Sequence, residues 1–160
     1  MSTDTETVTI ELAGLKATHA LAARLARVAK IGDVIALSGD LGAGKTEFAR
    51  AFIRTLTEPD EDVPSPTFTL VQTYEGAHFT LCHFDLYRLD HPEDIFELGI
   101  EDALSDAVSL IEWPDRMGTY IPRDRLEVRL TVTKGRNHRQ AELIPHSTDW
   151  SERLRTCGHD

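Results

Sequence analysis

The sequence predicts an α/β fold: a three-layer sandwich with a mixed, largely parallel sheet, helices on both sides, and antiparallel hairpins added to it. Three observations carry that expectation. A short apolar run, Val34-Ile35-Ala36-Leu37, leads into the octapeptide Gly39-Asp40-Leu41-Gly42-Ala43-Gly44-Lys45-Thr46 and then into the helix-compatible stretch Glu47 to Arg54. A second buried-strand segment, Val108-Ser109-Leu110-Ile111, ends on a carboxylate, Glu112. Two pairs of β-rich segments are spaced as hairpins: Thr67 to Tyr74 with Phe79 to Leu86, and Arg125 to Val132 with His138 to Leu143. A chain of 160 residues fits one domain with a substantial core. The expected division is a domain over residues 1–145 and a polar C-terminal tail, read as mobile, over 146–160.

In chain order, Thr7 to Leu12 alternates polar and apolar side chains, the pattern of a half-exposed strand. Thr18 is placed to cap a helix running to about Lys30, with Leu21, Leu25 and Val28 on one face. Ile31-Gly32-Asp33 makes a turn before the strand at Val34. The helix after the octapeptide ends near Thr57, and Glu58 to Pro66 follows as an acidic loop punctuated by prolines. The first hairpin turns through Glu75-Gly76-Ala77-His78. Pro92 opens a broken helical region with Ile95, Phe96 and Leu98 ahead of Gly99, and a second short piece runs to about Leu104. Trp113 to Met117 starts a short helix, and the last hairpin turns around Lys134-Gly135-Arg136-Asn137.

The octapeptide matches the phosphate-binding pattern G-x-x-x-x-G-K-[ST], and a strand before it and a helix after it are the context that pattern requires. Its glycines let the backbone turn tightly and gather N–H groups around phosphate oxygens at the positive end of a helix dipole. Lys45 can then reach the β- and γ-phosphates, while the Thr46 hydroxyl can hold Mg²⁺. Such a loop needs a second acid at the end of a neighbouring strand. Glu112 has the layout of a Walker B acid. Asp85 ends Leu81-Cys82-His83-Phe84-Asp85, and strand alternation puts Leu81, His83, Asp85 and Tyr87 on one face. Both acids have plainer readings, Asp85 as a turn or capping acid and Glu112 as half of a surface ion pair. His83 reads as a structural histidine orienting Asp85 or a backbone group, or as a direct participant.

Ser65-Pro66-Thr67-Phe68 lies where nucleotide hydrolases place switch segments, so Thr67 reads either as a γ-phosphate sensor or as a rigid strand entry. Trp113 suits a base-stacking surface, a partner contact or a partly buried core position. Arg88 and Arg136 are candidates to neutralise phosphate charge, against the commoner role of solvating a surface.

Net charge is −10, from 27 acids against 17 bases, which gives no electrostatic footprint for stable, direct nucleic-acid binding. Work on RNA would need a partner that supplies the basic surface. Cys82 and Cys157 make no disulfide framework. The acidic, polar start Met1 to Thr7 does not read as a signal peptide, and no apolar run approaches the roughly 18 residues that span a bilayer. The expected location is the cytoplasm, with no membrane partner.

Taken in order, Gly39 to Thr46, Ser65-Pro66-Thr67-Phe68, His83-Phe84-Asp85-Leu86-Tyr87-Arg88-Leu89, Glu97-Leu98-Gly99-Ile100 and Ile111-Glu112-Trp113-Pro114 resemble the TsaE family. That family supplies the bacterial ATPase subunit required for making threonylcarbamoyladenosine in tRNA. The resemblance runs from about Thr18 to Arg139 and implies a small cytoplasmic ATPase. It would dock on the two-protein threonylcarbamoyl-transferase complex, reset that complex by hydrolysing Mg-ATP, and meet tRNA only through it. On matching positions, Lys45 and the amides of Gly39 to Thr46 would hold ATP phosphates, with Thr46 and Glu112 on Mg²⁺. Asp85 would be the essential acid near the γ-phosphate, Ser65-Pro66-Thr67 the switch-like loop, and Trp113 a border of the site. Glu47 departs from the family's usual second Thr or Ser and adds negative charge beside the site. Arg136 and Arg139 meet the closing arginine pair only loosely.

The expected activity is therefore a Mg-dependent ATPase. The alternative is a small-molecule or nucleotide kinase using the same loop, although no arginine-rich lid or acceptor-binding insertion is evident. No Asn-Lys-x-Asp segment is present to read guanine. A nucleotide-sensing adaptor would need only one of the two acids.

Overall fold

The computed structural model describes residues 6–133, 135 and 137–157. Among them, strands β1 (Val8–Ala13), β2 (Val34–Ser38), β3 (Val71–Glu75), β4 (Thr80–Asp85), β5 (Ala107–Glu112), β6 (Leu126–Val132) and β7 (His138–Pro145) form one sheet. Its order is β1-β7-β6-β2-β5-β4-β3. The four central strands β6, β2, β5 and β4 run parallel. The outer pairings, β3 with β4, β6 with β7 and β7 with β1, are antiparallel. The sheet is thus mixed with a parallel centre, as the sequence predicts.

Burial explains which strands took the centre. Every residue of β5 is buried, and so is β2 up to Ser38, so these strands read as continuous apolar runs covered on both faces. Alternation along β5 sends Val108 and Leu110 to one side and Ala107 and Ile111 to the other. On the first side pack α1 (Leu15–Arg27) and α2 (Lys45–Leu56), through Leu21, Leu25, Phe48, Phe52 and Ile53. The other side is covered by the 3-10 segments Pro92–Leu98 and Pro114–Tyr120 and by α3 (Ile100–Asp106), with Ile95, Ile100 and Met117 in the core.

Three expectations are corrected. The first helix begins at Leu15 after Gly14, so Thr18 is a buried residue within the helix and not its cap. Gly14 N–H donates to the Asn137 carbonyl at 2.7 Å, and this tether to the β6–β7 turn fixes the earlier start. Residues 67–70 do not extend β3. Leu70 sits at φ 70° with its N–H on the Pro66 carbonyl at 2.7 Å, which closes a turn and delays the strand to Val71.

The third correction concerns the C-terminus. Residues 146–160 were expected as a polar tail, yet Thr148–Thr156 form helix α4. Ser147 caps it by accepting the Trp150 N–H at 3.2 Å. Trp150 and Leu154 are buried in the same core as α1 and α2. Arg153 reaches across to Asp33 with bonds of 2.6 and 2.9 Å and lies 3.7 Å over the Trp150 ring. Two apolar residues four apart in a polar stretch make a weak periodic signal, but they suffice once α1 and the sheet offer a surface to cover.

Trp150→Ala is expected to destabilise the protein by about 3–5 kcal/mol, the range for emptying a buried aromatic site. Urea unfolding checks this, and a loss under about 1 kcal/mol would separate α4 from the core.

Candidate functional site

The octapeptide bridges the end of β2 to the start of α2, which begins at Lys45. Gly39 holds φ 143°, and a Cβ there would fall 2.5 Å from the Leu130 carbonyl oxygen of β6. Only glycine lets the loop leave the sheet at that point. Arg139 of β7 braces the loop from outside, its Nε donating to the Ala43 carbonyl at 3.1 Å and its Nη2 to the Gly42 carbonyl at 3.3 Å.

Lys45 is buried, and its Nζ donates to the carbonyls of Gly39 at 2.6 Å and Asp40 at 3.0 Å. The same ammonium lies 4.2 Å over the Trp113 ring. Burial pulls its pKa below the usual lysine value, while the negative charges of Glu112, Asp85, Asp40 and Asp115 work against that fall.

The parallel register of β4 and β5 sets Asp85 opposite Glu112. Both acids are buried, at 4% and 2% exposure. The Thr46 hydroxyl spans the two Glu112 oxygens at 3.1 Å each, and His83 Nε2 lies 2.6 Å from Oε2. Asp85 accepts the Thr67 hydroxyl at 3.1 Å on one oxygen and the Tyr87 N–H at 3.1 Å on the other. Since the single Thr67 proton goes to Asp85, Ser65 is the donor in the 2.8 Å Ser65–Thr67 bond. Trp113 follows Glu112 with a left-handed backbone, φ 59° and ψ 53°, an unusual conformation for a bulky residue. Its ring lies 5.0 Å from that of Tyr87.

Lys45, Thr46, Thr67, Asp85, Glu112 and Trp113 all face one cavity of about 560 Å³. The loop residues Leu41, Gly42, Ala43 and Gly44 line it too, whereas Gly39 and Asp40 line a separate recess behind the loop. Arg136 lies outside the described residues. Arg88 stacks its guanidinium 4.6 Å over the exposed Phe68 ring and does not line the cavity. Glu47 does line it, but its charge is met by Arg50, and His19 Nε2 lies 3.5 Å away.

The far wall is made by Gly14, Leu15, Thr18, Asn137 and Arg139, of which sequence reading singles out only Arg139 for the site, as a loose match to the family's arginine pair. No spacing links residues 14–18 to 137–139; they meet because β1 pairs with β7. His83, left open between orienting Asp85 or the backbone and taking part directly, bonds Glu112.

Among the described residues no group of three His, Cys, Asp or Glu side chains is arranged to hold a metal alone. The Thr46 hydroxyl and Glu112 carboxylate are hard oxygen donors side by side. That pair fits Mg²⁺, which is commonly bound through one or two carboxylates, with substrate phosphates and waters completing its shell.

Comparison with known proteins identifies the family of the chain. The sequence model of the family described as "Threonylcarbamoyl adenosine biosynthesis protein TsaE" matches residues 12–141. The tRNA threonylcarbamoyladenosine biosynthesis protein TsaE of Rickettsia felis is 42% identical over 134 residues, covering 84% of this chain and 78% of that protein. Its namesake in Bacillus subtilis is 38% identical over 112 residues, 69% of each chain, and that of a Nostoc species is 36% identical over 154 residues, 92% of this chain and 91% of that one. A crystal structure of Bacillus subtilis YdiB superposes with a TM-score of 0.76 at 25% identity, covering 95% of this chain and 94% of that one. The chain belongs to the TsaE family of tRNA threonylcarbamoyladenosine biosynthesis proteins.

The packing of the loop makes a stability prediction that is independent of ligand. Gly42→Ala, where a Cβ meets nothing within 4 Å, should cost about 1–2 kcal/mol for its left-handed backbone alone. Gly39→Ala should cost about 1–3 kcal/mol more, because its Cβ meets the Leu130 carbonyl. Equal losses in chemical denaturation would contradict the close approach of loop and β6.

Proposed function

We propose that this TsaE family member is a Mg²⁺-dependent ATPase subunit. It binds and hydrolyses ATP to drive or reset a two-protein threonylcarbamoyl-transferase complex that modifies tRNA. The observation that carries this reading is the convergence of Lys45, Thr46, Asp85 and Glu112 on one cavity at the start of α2.

The triphosphate would lie along the octapeptide, where the first turn of α2 offers N–H groups that no helical carbonyl uses. Lys45 moves its Nζ from the carbonyls of Gly39 and Asp40 to phosphate oxygens, exchanging neutral acceptors for charged ones. Thr46 and Glu112 would hold Mg²⁺, which supplies charge neutralisation on the β- and γ-phosphates when bound. Asp85, fixed on both oxygens by Thr67 and the Tyr87 N–H, is oriented to align the attacking water against the γ-phosphorus. The water oxygen would then bond to phosphorus as the bond to the β-phosphate oxygen breaks, with the water's proton passing to the released phosphate. Trp113 and Tyr87 line the cavity with their rings 5.0 Å apart.

The net charge of −10 favours a division of labour in which partner proteins hold the tRNA. No helix among the described residues is long and apolar enough to cross a membrane. The cytoplasm is the proposed place of action.

The test is to incubate the protein with γ-labelled ATP, with and without the transferase pair, and to follow free phosphate against transfer to small acceptors. Partner-stimulated phosphate release is expected, and phosphotransfer to a small molecule would replace this reading with a kinase. Lys45→Ala should weaken ATP binding by about 1.5–3 kcal/mol, the worth of a charged hydrogen bond. Glu112→Gln should slow phosphate release about 100-fold or more, on the scale of losing an electrostatic catalytic group. Asp85→Ala should keep ATP binding within a few-fold while abolishing hydrolysis; loss of binding itself would contradict the role given to Asp85.

A further inference from the structure

We propose that His83 is a positioning residue for Glu112, holding the carboxylate that faces Mg²⁺; this rests on the function proposed above. His83 sits in β4, two residues before Asp85, and is fully buried. Its Nε2 is 2.6 Å from Glu112 Oε2. An ionised carboxylate only accepts, so Nε2 carries the proton and donates.

The other ring nitrogen makes the case. Nδ1 is buried with no hydrogen-bond partner. A buried polar atom left unpaired costs free energy that an apolar side chain in the same slot would avoid. The hydrogen-bonding output of the imidazole therefore goes to Glu112. Among the described residues, the hydrogen bonds to the Glu112 carboxylate come from Thr46 and His83. These two are not equivalent. Thr46 is itself a proposed Mg²⁺ ligand, so its hydroxyl oxygen would be shared with the metal when nucleotide binds. His83 lies inside the sheet, in the strand paired with β5, and its bond to Oε2 does not compete with the metal. It is the fixed anchor of the pair, the relation that outer-shell groups bear to metal-ligating carboxylates.

The experiment titrates Mg²⁺ against binding of a fluorescent ATP analogue to wild type, His83→Leu, His83→Asn, His83→Gln and Glu112→Gln, with melting temperature and analogue affinity in EDTA recorded alongside. His83→Leu should raise the half-saturating Mg²⁺ concentration about ten-fold, within the range for lost outer-shell partners. Affinity in EDTA should stay within two-fold, since the phosphate loop is untouched. His83→Gln, whose amide N–H can reach the same oxygen, should recover most of the loss. His83→Asn is too short to do so and should behave like His83→Leu, which keeps the test open if the apolar variant fails to fold.

Wild-type Mg²⁺ dependence in His83→Leu and His83→Asn, with Glu112→Gln shifted, would overturn the positioning role alone. An equal fall in affinity with and without Mg²⁺ would reduce His83 to a packing residue. An unshifted Glu112→Gln would remove the premise that Glu112 faces the metal, and the proposal with it.

Discussion

Two carboxylates buried side by side constrain everything around them. Asp85 and Glu112 leave adjacent parallel strands at the same level, each almost wholly removed from solvent. Burying two like charges side by side costs free energy unless cations and hydrogen-bond donors surround them. The local structure supplies those groups. The first turn of α2 delivers the Lys45 ammonium and the Thr46 hydroxyl; the segment before β3 delivers Thr67; the chain beyond β4 offers the Tyr87 N–H; and β4 itself contributes His83. Lys45 feels the reverse of the same constraint, since burial disfavours its charge while four acids favour it. On the function proposed above, that balance would accept a cation together with a polyanion, each bringing the charge that its own protein partners lack.

The sheet order explains why the site lies where it does. Strand β2 has β5 on one side and β6 on the other, so the chain leaves its end at a point where successive connections diverge. Crevices outside the carboxyl ends of parallel strands at such a point are where α/β proteins bind ligands. Here Asp85 and Glu112 mark the ends of β4 and β5, and Ser38 ends β2 just ahead of the glycine loop. The hairpin of β6 and β7 then folds back over the loop, placing Arg139 on its carbonyls, and β1 brings the start of α1 against that hairpin.

What the sequence revealed depended on how local the determining interactions are. The phosphate loop, the parallel centre and the two acids were legible because each is written in contiguous residues: an octapeptide, two apolar runs, and a carboxylate at a strand end. The pairing of Asp85 with Glu112 was only half legible, since strand identity was readable but register was not. The partner of His83 depends on that register and was left open for the same reason. The far wall of the cavity joins residues more than a hundred positions apart through β1–β7 pairing, which no local pattern encodes. Helix α4 escaped because only two of its buried residues, Trp150 and Leu154, are apolar, and a further anchor, Arg153, reads as an ordinary surface charge until Asp33 is placed beside it.

The proposed function comes down to one physical claim: the pair formed by Thr46 and Glu112 would share a divalent cation with a triphosphate laid along the loop. On the proposed function, the net charge of −10 would leave RNA to partner proteins. The most direct measurement is a crystal structure with a non-hydrolysable ATP analogue and Mn²⁺, located by anomalous scattering. The account predicts one manganese between Thr46, Glu112 and the phosphate oxygens, with Lys45 Nζ moved from the Gly39 and Asp40 carbonyls onto phosphate. Manganese bound away from Thr46 and Glu112, or a triphosphate outside the loop with Lys45 still on those carbonyls, would contradict it.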